Sequence, residues 1–218
     1  MMITSILWDF GGVLTTSPFE SFNRFETEKG LPHNFLRRVN STNPDSNAWA
    51  RFERSDINAD QFDALFLEES TALGHPVRGN DVIRLLAGDI RPNMVAALKA
   101  LSADYQCVCL TNNVSAGKGP GMSRTASAQK AVAEVMEIFD TVIQSSKIGL
   151  RKPDPQIYEY TCREMNVRPE QIVYLDDLGI NLKPAAAMGM KTIKVVSEGQ
   201  ALKDLGAAVG KTFAGAEG

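Results

Sequence analysis

Histidine and cysteine are scarce in this chain of 218 residues, which holds two histidines, His33 and His75, and three cysteines, Cys107, Cys109 and Cys162. So few histidines argue against a serine-histidine-acid triad. An odd cysteine count, with no CxxC and no Cys/His cluster, argues against both a disulfide framework and a zinc site. Cys107 and Cys109 alternate along an apparent strand, so they share one face as small buried hydrophobes, and a reducing cytoplasm fits this usage. Charge of one sign is also lacking: 23 basic against 26 acidic residues give a net charge of -3. The basic residues are scattered, so there is no electrostatic footprint for nucleic acid. Long apolar runs are missing too. The opening 13 residues are apolar but too short to span a bilayer, are broken by Asp9, and lack the basic start and small-residue cleavage signal of a secretory peptide, so a buried strand is expected there.

What is present is ordinary globular material, 44% hydrophobic and 22% charged, enough for one large domain or for a core carrying an insert. Short apolar runs that end in polar residues recur at 3–8, 105–110, 141–143, 172–175 and 192–196, and read as five strands. Between the later ones, Met94, Val95, Leu98 and Leu101, then Val132, Val135 and Met136, then Ile157, Tyr158, Cys162 and Met165, carry helical spacing. Pro92 suits a first helical turn, and Gly189 stands where a helix starting near Ile180 should stop. Strands alternating with helices predict an α/β fold with a doubly wound parallel sheet. Residues 17–89 break this rhythm, with helical patches at 19–28, 47–54 and 59–73. They are expected to form a small helical cap inserted after the first strand, leaving residues 1–16 and 90–218 as the core. Trp49, Phe52, Phe62 and Phe66 read as the interior of that insert. The Gly- and Ser-rich stretch at 115–123 reads as a flexible loop from which Lys118 or Arg124 could approach a substrate; Pro120 and the wrong spacing argue against a phosphate-binding loop.

In an open parallel sheet, ligands bind beyond the carboxyl ends of the strands. Those ends hold Asp9, followed by Phe10-Gly11-Gly12; Thr111-Asn112; and Asp176-Asp177. A strand-end carboxylate can attack phosphorus or bind a cation, a hydroxyl and an amide suit phosphoryl oxygens, and Lys152, in Gly149-Leu150-Arg151-Lys152-Pro153-Asp154-Pro155, supplies a point charge. Adjacent carboxylates repel, and a cation relieves them; with no histidine or thiol nearby, the ligand set favours Mg²⁺ before Ca²⁺ or a transition metal.

The order Asp9, Thr111, Lys152, Asp176-Asp177 resembles the four motifs of the haloacid dehalogenase superfamily, with a Rossmann-like core. The stretches Asp9-Phe10-Gly11-Gly12-Val13-Leu14, Lys152-Pro153-Asp154-Pro155 and Leu175-Asp176-Asp177-Leu178-Gly179-Ile180-Asn181 are similar to the phosphatase domains joined to soluble epoxide hydrolases and to acyl-CoA dehydrogenases. The resemblance implies a Mg²⁺-dependent phosphohydrolase with Asp9 as nucleophile. It implies Mg²⁺ held by Asp9, the Gly11 carbonyl and Asp177, phosphoryl oxygens held by Thr111 and Asn112, and Lys152 offsetting the crowded negative charge. Asp176 and Asn181 then support the site from behind, with Asn181 the nearer to the waters of the metal. The expected partner is a small phosphorylated metabolite or a lipid phosphate; a homodimer stays open.

One position departs from the superfamily pattern. Most of its phosphatases place a second Asp, the general acid and base, two residues after the nucleophile; here Gly11 stands there. Losing such a group costs about 10²–10⁴-fold in rate. His33 or Glu20 could take its place. The same gap admits a metal-free 2-haloacid dehalogenase, or a weak member that binds a phosphorylated ligand or a protein partner.

Overall fold

The computed structural model describes residues 2–113 and 126–216. The stretch at 115–123, with Lys118 and Arg124, therefore lies outside the described residues. Five parallel strands, β1 Ser5–Trp8, β2 Gln106–Thr111, β3 Thr141–Gln144, β4 Ile172–Asp176 and β5 Lys191–Lys194, form one sheet in the order β3-β2-β1-β4-β5. The central strand β1 is buried along its whole length. That burial explains its unbroken apolar run, because a parallel sheet is covered on both faces. Ile6 and Trp8 face one layer and Leu7 the other.

The first layer holds α6 Pro92–Leu101, α7 Ala126–Met136 and α11 Glu198–Val209; the second holds α9 Pro155–Met165 and α10 Gly179–Ala187. Pro92 opens α6 as its missing N–H allows, and the predicted helix near Ile180 is α10. Cys107 and Cys109 lie in the first layer; burial pushes the Cys107 thiol up to about 12 and raises that of Cys109 as well, so both behave as packing groups. The one-turn helix α8 Ser145–Ile148 follows β3 directly.

Between β1 and α6 the described chain is helical: α1 Pro18–Lys29, α2 Phe35–Ser41, α3 Ala48–Glu53, α4 Ala59–Ala72 and α5 Gly79–Ile83. These helices have their own apolar cluster, including Phe22, Phe35, Phe52, Phe62 and Phe66, drawn only from this segment. Its two ends are tied together where it leaves and rejoins the sheet, by an antiparallel bridge between Thr15 and Ile90 and by Thr16 N–H donating to Asp89 O at 2.8 Å. Helices α2 and α5 had no counterpart among the predicted patches. They are seven and five residues long, at most two turns each. Tertiary contacts hold α2 instead: the buried Glu26 carboxylate accepts from the N–H groups of Asn34 and Leu36 at 2.8 and 2.9 Å, beside its first turn.

Candidate active site

The site lies at the carboxyl ends of β1, β2 and β4, where the strand order reverses. Asp9 follows β1 directly, and its N–H continues the ladder to Leu175 O at 2.9 Å, which sets it beside the end of β4. Carboxylate oxygens of Asp9, Asp176 and Asp177 all lie within 4.8 Å of one another. Lys152, 1% exposed, reaches between two of them, with Nζ 2.9 Å from Asp9 Oδ2 and 2.8 Å from Asp176 Oδ2. Three carboxylates thus share one ammonium; among the described residues no other cation is in ion-pair contact with them.

The two adjacent aspartates differ in what they have left to offer. Asp176 is fully buried; Oδ1 accepts from Leu178 N at 2.8 Å, both oxygens from Asn181 Nδ2 at 3.1 Å, and Oδ2 from Lys152 and the Tyr174 hydroxyl. Among the described residues Asp177 has one side-chain donor, the Ser17 hydroxyl, 3.1 Å from Oδ2. Its carboxyl is pushed up to about 6 by burial and by Asp176. Burial also raises Asp9 well above the carboxylate range; Lys152 pulls it down, and Asp176 and Asp177 push it up. Burial alone would lower Lys152, yet Asp176 and Asp9 hold it above its ordinary value, so the lysine stays charged.

The two glycines after Asp9 are not equivalent. Gly12 has φ of +76°, and a Cβ there would stand 2.1 Å from Asp177 Oδ2. Only glycine lets the backbone pass this close to the metal-ligating candidate. A Cβ at Gly11 would meet nothing within 4 Å.

Thr111, buried at the end of β2, lines the same cavity as Asp9 and Lys152. Asn112 clamps the lysine backbone: Oδ1 accepts from Lys152 N and Nδ2 donates to Lys152 O, both at 2.9 Å. The Asn181 side-chain Nδ2 is spent on Asp176, while the main-chain carbonyl of Asn181 accepts from the Tyr158 hydroxyl at 2.6 Å. The cavity measures about 490 Å³ and runs from these residues to the helical segment, where Phe19, Phe22, Trp49 and Leu86 give it an apolar wall. Trp49 was expected inside the insert. It packs against the insert's apolar cluster, edge-on to Phe62 at 5.7 Å, and also lines the cavity, a second role that helical spacing does not reveal.

Glu20 and His33 are exposed and do not line the cavity. The buried carboxylate that the helical segment does bring to it is Glu53, which sequence reasoning missed. It accepts from Arg151 Nε at 2.6 Å and lies 3.5 Å from Asn112 Nδ2, and burial raises its carboxyl above the ordinary value. Its partner is 98 residues away, so no local pattern flags the pair. Ser17 was missed as well; it caps α1 by accepting from Phe19 N, and the Ser-Pro start gives only the capping half of its role.

The family described as haloacid dehalogenase-like hydrolase matches residues 3–189. Acyl-CoA dehydrogenase family member 10 of Mus musculus is 30% identical over 216 residues, 94% of this chain and 19% of that protein. Bifunctional epoxide hydrolase 2 of Mus musculus is 29% identical over 225 residues, 98% of this chain and 40% of that protein. The chain therefore spans less than half the length of these two relatives. More distant matches include a sesquiterpene phosphatase of Aspergillus oryzae, 25% identical over 150 residues (66% of this chain, 70% of that protein), and an (S)-2-haloacid dehalogenase of Pseudomonas, 24% identical over 104 residues (48% and 43%). In fold, the chain is similar to a HAD family enzyme of Bacteroides thetaiotaomicron solved with magnesium and inorganic phosphate, with a TM-score of 0.59, 19% identity, and 88% of this chain and 93% of that one covered.

Proposed function

The chain belongs to the haloacid dehalogenase-like hydrolases, and we propose that within that family it is a Mg²⁺-dependent phosphohydrolase that cleaves phosphate monoesters through an aspartyl-phosphate on Asp9. The observation that carries this reading is the charge balance at the strand ends, three carboxylates around one ammonium. A dehalogenase needs no cation, and the excess negative charge would then be a cost without a return. A hard divalent cation suits an all-oxygen donor set. The residues present fit such an ion: Asp176 has four donor groups on its two oxygens, whereas each Asp9 oxygen has one and Asp177 has the Ser17 hydroxyl, which favours Asp9 and Asp177, with the Gly11 carbonyl, as its ligands. Bound there, it would neutralise charge on the phosphoryl oxygens and on the nucleophile.

The remaining chemistry belongs to the chain's own groups. Asp9 attacks phosphorus in line; the Asp9 O–P bond forms as the ester P–O bond breaks, and the leaving oxygen departs with the electron pair. Lys152, pinned between Asp9 and Asp176, pulls the Asp9 carboxyl toward its ionised form and offsets charge as the phosphoryl group arrives. Thr111 offers its hydroxyl to the equatorial oxygens, while Asn112 acts on them through its backbone and holds Lys152 with its side chain. Gly11 provides no proton, so the leaving oxygen takes one from water, which favours esters with good leaving groups. Water then attacks phosphorus, releases phosphate and restores the Asp9 carboxylate.

Residues 17–89 would act as the cap that closes this reaction off from solvent. The apolar wall formed by Phe19, Phe22, Trp49 and Leu86 favours an organic phosphate with an apolar body, whether a small metabolite or a lipid phosphate. A panel of phosphate monoesters assayed with and without Mg²⁺ tests the proposal: hydrolysis that needs Mg²⁺ and disappears in Asp9→Asn is expected. An unchanged rate in chelator overturns the metal assignment, and halide release from 2-chloropropionate without metal would favour the dehalogenase reading.

A further inference from the structure

We infer that Glu53 is a positioning residue through which the helical segment sets the place of Lys152. Lys152 Nζ sits within 2.9 Å of two carboxylates, a geometry that its long, flexible side chain keeps only if its backbone is fixed. Asn112 fixes that backbone from both sides, through Lys152 N and Lys152 O. Glu53 in turn braces both neighbours of the clamp. Its Oε2 accepts from Arg151 Nε at 2.6 Å, one residue before the lysine, and lies 3.5 Å from the same Asn112 Nδ2 that holds Lys152 O.

The rest of the helix end is tied to the same region. Ser145 Oγ donates to Glu53 O at 2.9 Å, Ser55 Oγ to Ser146 O at 3.0 Å, and Arg151 Nη1 to Pro44 O at 3.0 Å. Glu53 and Arg151 are 8% and 17% exposed in their side chains. Burying such a pair adds little net stability, because desolvation offsets the attraction. Its return is geometric: the pair exists only when α3 is seated on the Lys152 loop. Seating the segment over the cavity and placing the lysine beside Asp9 are then one event, which couples closure to catalytic competence.

The kinetic half of this inference rests on the phosphohydrolase reading, so the test joins a readout that does not. In the full chain, hydrogen exchange is followed in the peptide covering residues 149–154, where Lys152 N–H reports its bond to Asn112 directly. Glu53→Ala should speed exchange there about tenfold or more while strand peptides keep their protection. With an aryl phosphate and Mg²⁺, kcat should fall by up to about 10²-fold with KM nearly unchanged, the signature of a displaced catalytic group. Glu53→Gln keeps the shape and an acceptor oxygen, so it should lie between wild type and Glu53→Ala, and it serves if the alanine variant does not fold. Unchanged exchange at 149–154 in both variants overturns the inference, as does a loss expressed only in KM. If exchange responds but the wild-type protein hydrolyses no phosphate ester, the phosphohydrolase reading fails and the positioning role stands.

Discussion

Replacing Gly11 by aspartate should restore the missing general acid, and the structure gives the reason to expect a folded, more active protein. A Cβ at this position meets no atom within 4 Å, its backbone is outside the left-handed region, and the residue lines the cavity that holds Asp9. The new carboxyl can therefore stand in open space beside the departing oxygen without displacing Lys152 or Asp177. A positioned acid contributes about 10²–10⁴-fold, or roughly 3–5 kcal/mol of transition-state stabilisation. That gain is graded. An aryl phosphate with an acidic phenol needs little protonation and should gain least, whereas an alkyl phosphate should gain close to the full amount. The assay is kcat/KM across a series of esters of increasing leaving-group basicity, with Mg²⁺ present, because kcat/KM reports the step in which the ester bond breaks. The wild-type protein should show a steep dependence on leaving group and Gly11→Asp a shallow one. Gly12→Ala is the matched control: its Cβ would fall 2.1 Å from Asp177 Oδ2 at a φ of +76°, and it should lose activity. A uniform gain across the series, or none in a variant that folds and binds Mg²⁺, would refute the reasoning.

Two further outcomes follow from the buried charges. Lys152→Met leaves Asp9 and Asp176 without their shared cation and should destabilise the protein by about 3–5 kcal/mol at neutral pH, read from urea unfolding. Because Lys152 pulls the Asp9 carboxyl down, its removal lets that carboxyl rise further, so the deficit should shrink as pH falls; equal stability of variant and wild type would contradict this. Asp177, raised from 3.8 to about 6, binds a proton more tightly folded than unfolded. Without metal, stability should therefore fall as pH rises through this interval, whereas Mg²⁺ needs the carboxylate, so its affinity should drop about tenfold per pH unit below about 6. Titration of Mg²⁺ binding against pH by calorimetry checks the second effect, and a pH-independent affinity would remove Asp177 from the ligand set.

The core strands and the ends that carry Asp9, Thr111 and Asp176 were legible because period and composition are local properties: an unbroken apolar run that stops at a polar residue is a buried parallel strand and its exposed end. The parallel doubly wound order follows from alternation, and the structure has it. Helices α1, α3, α4, α6, α7, α9 and α10 were legible for the same reason, whereas α2, α5, α8 and α11 were not. No local pattern separates Asp176 from Asp177; Tyr174, Asn181 and Lys152 do so, by engaging the oxygens of the first, while the second accepts from the Ser17 hydroxyl.

Residue order by itself determined which groups could reach the strand ends, and that Gly11 withholds an acid from them. Tertiary structure alone decided that a side chain fits at Gly11 and not at Gly12, that Trp49 lines the cavity as well as packing in the insert, and that Glu53 braces the loop of Lys152. The physical reason is range. Strand and helix patterns are written in neighbours two to four positions apart, whereas the space around a Cβ and the partner of a buried charge are set by residues a hundred positions away that only folding brings near.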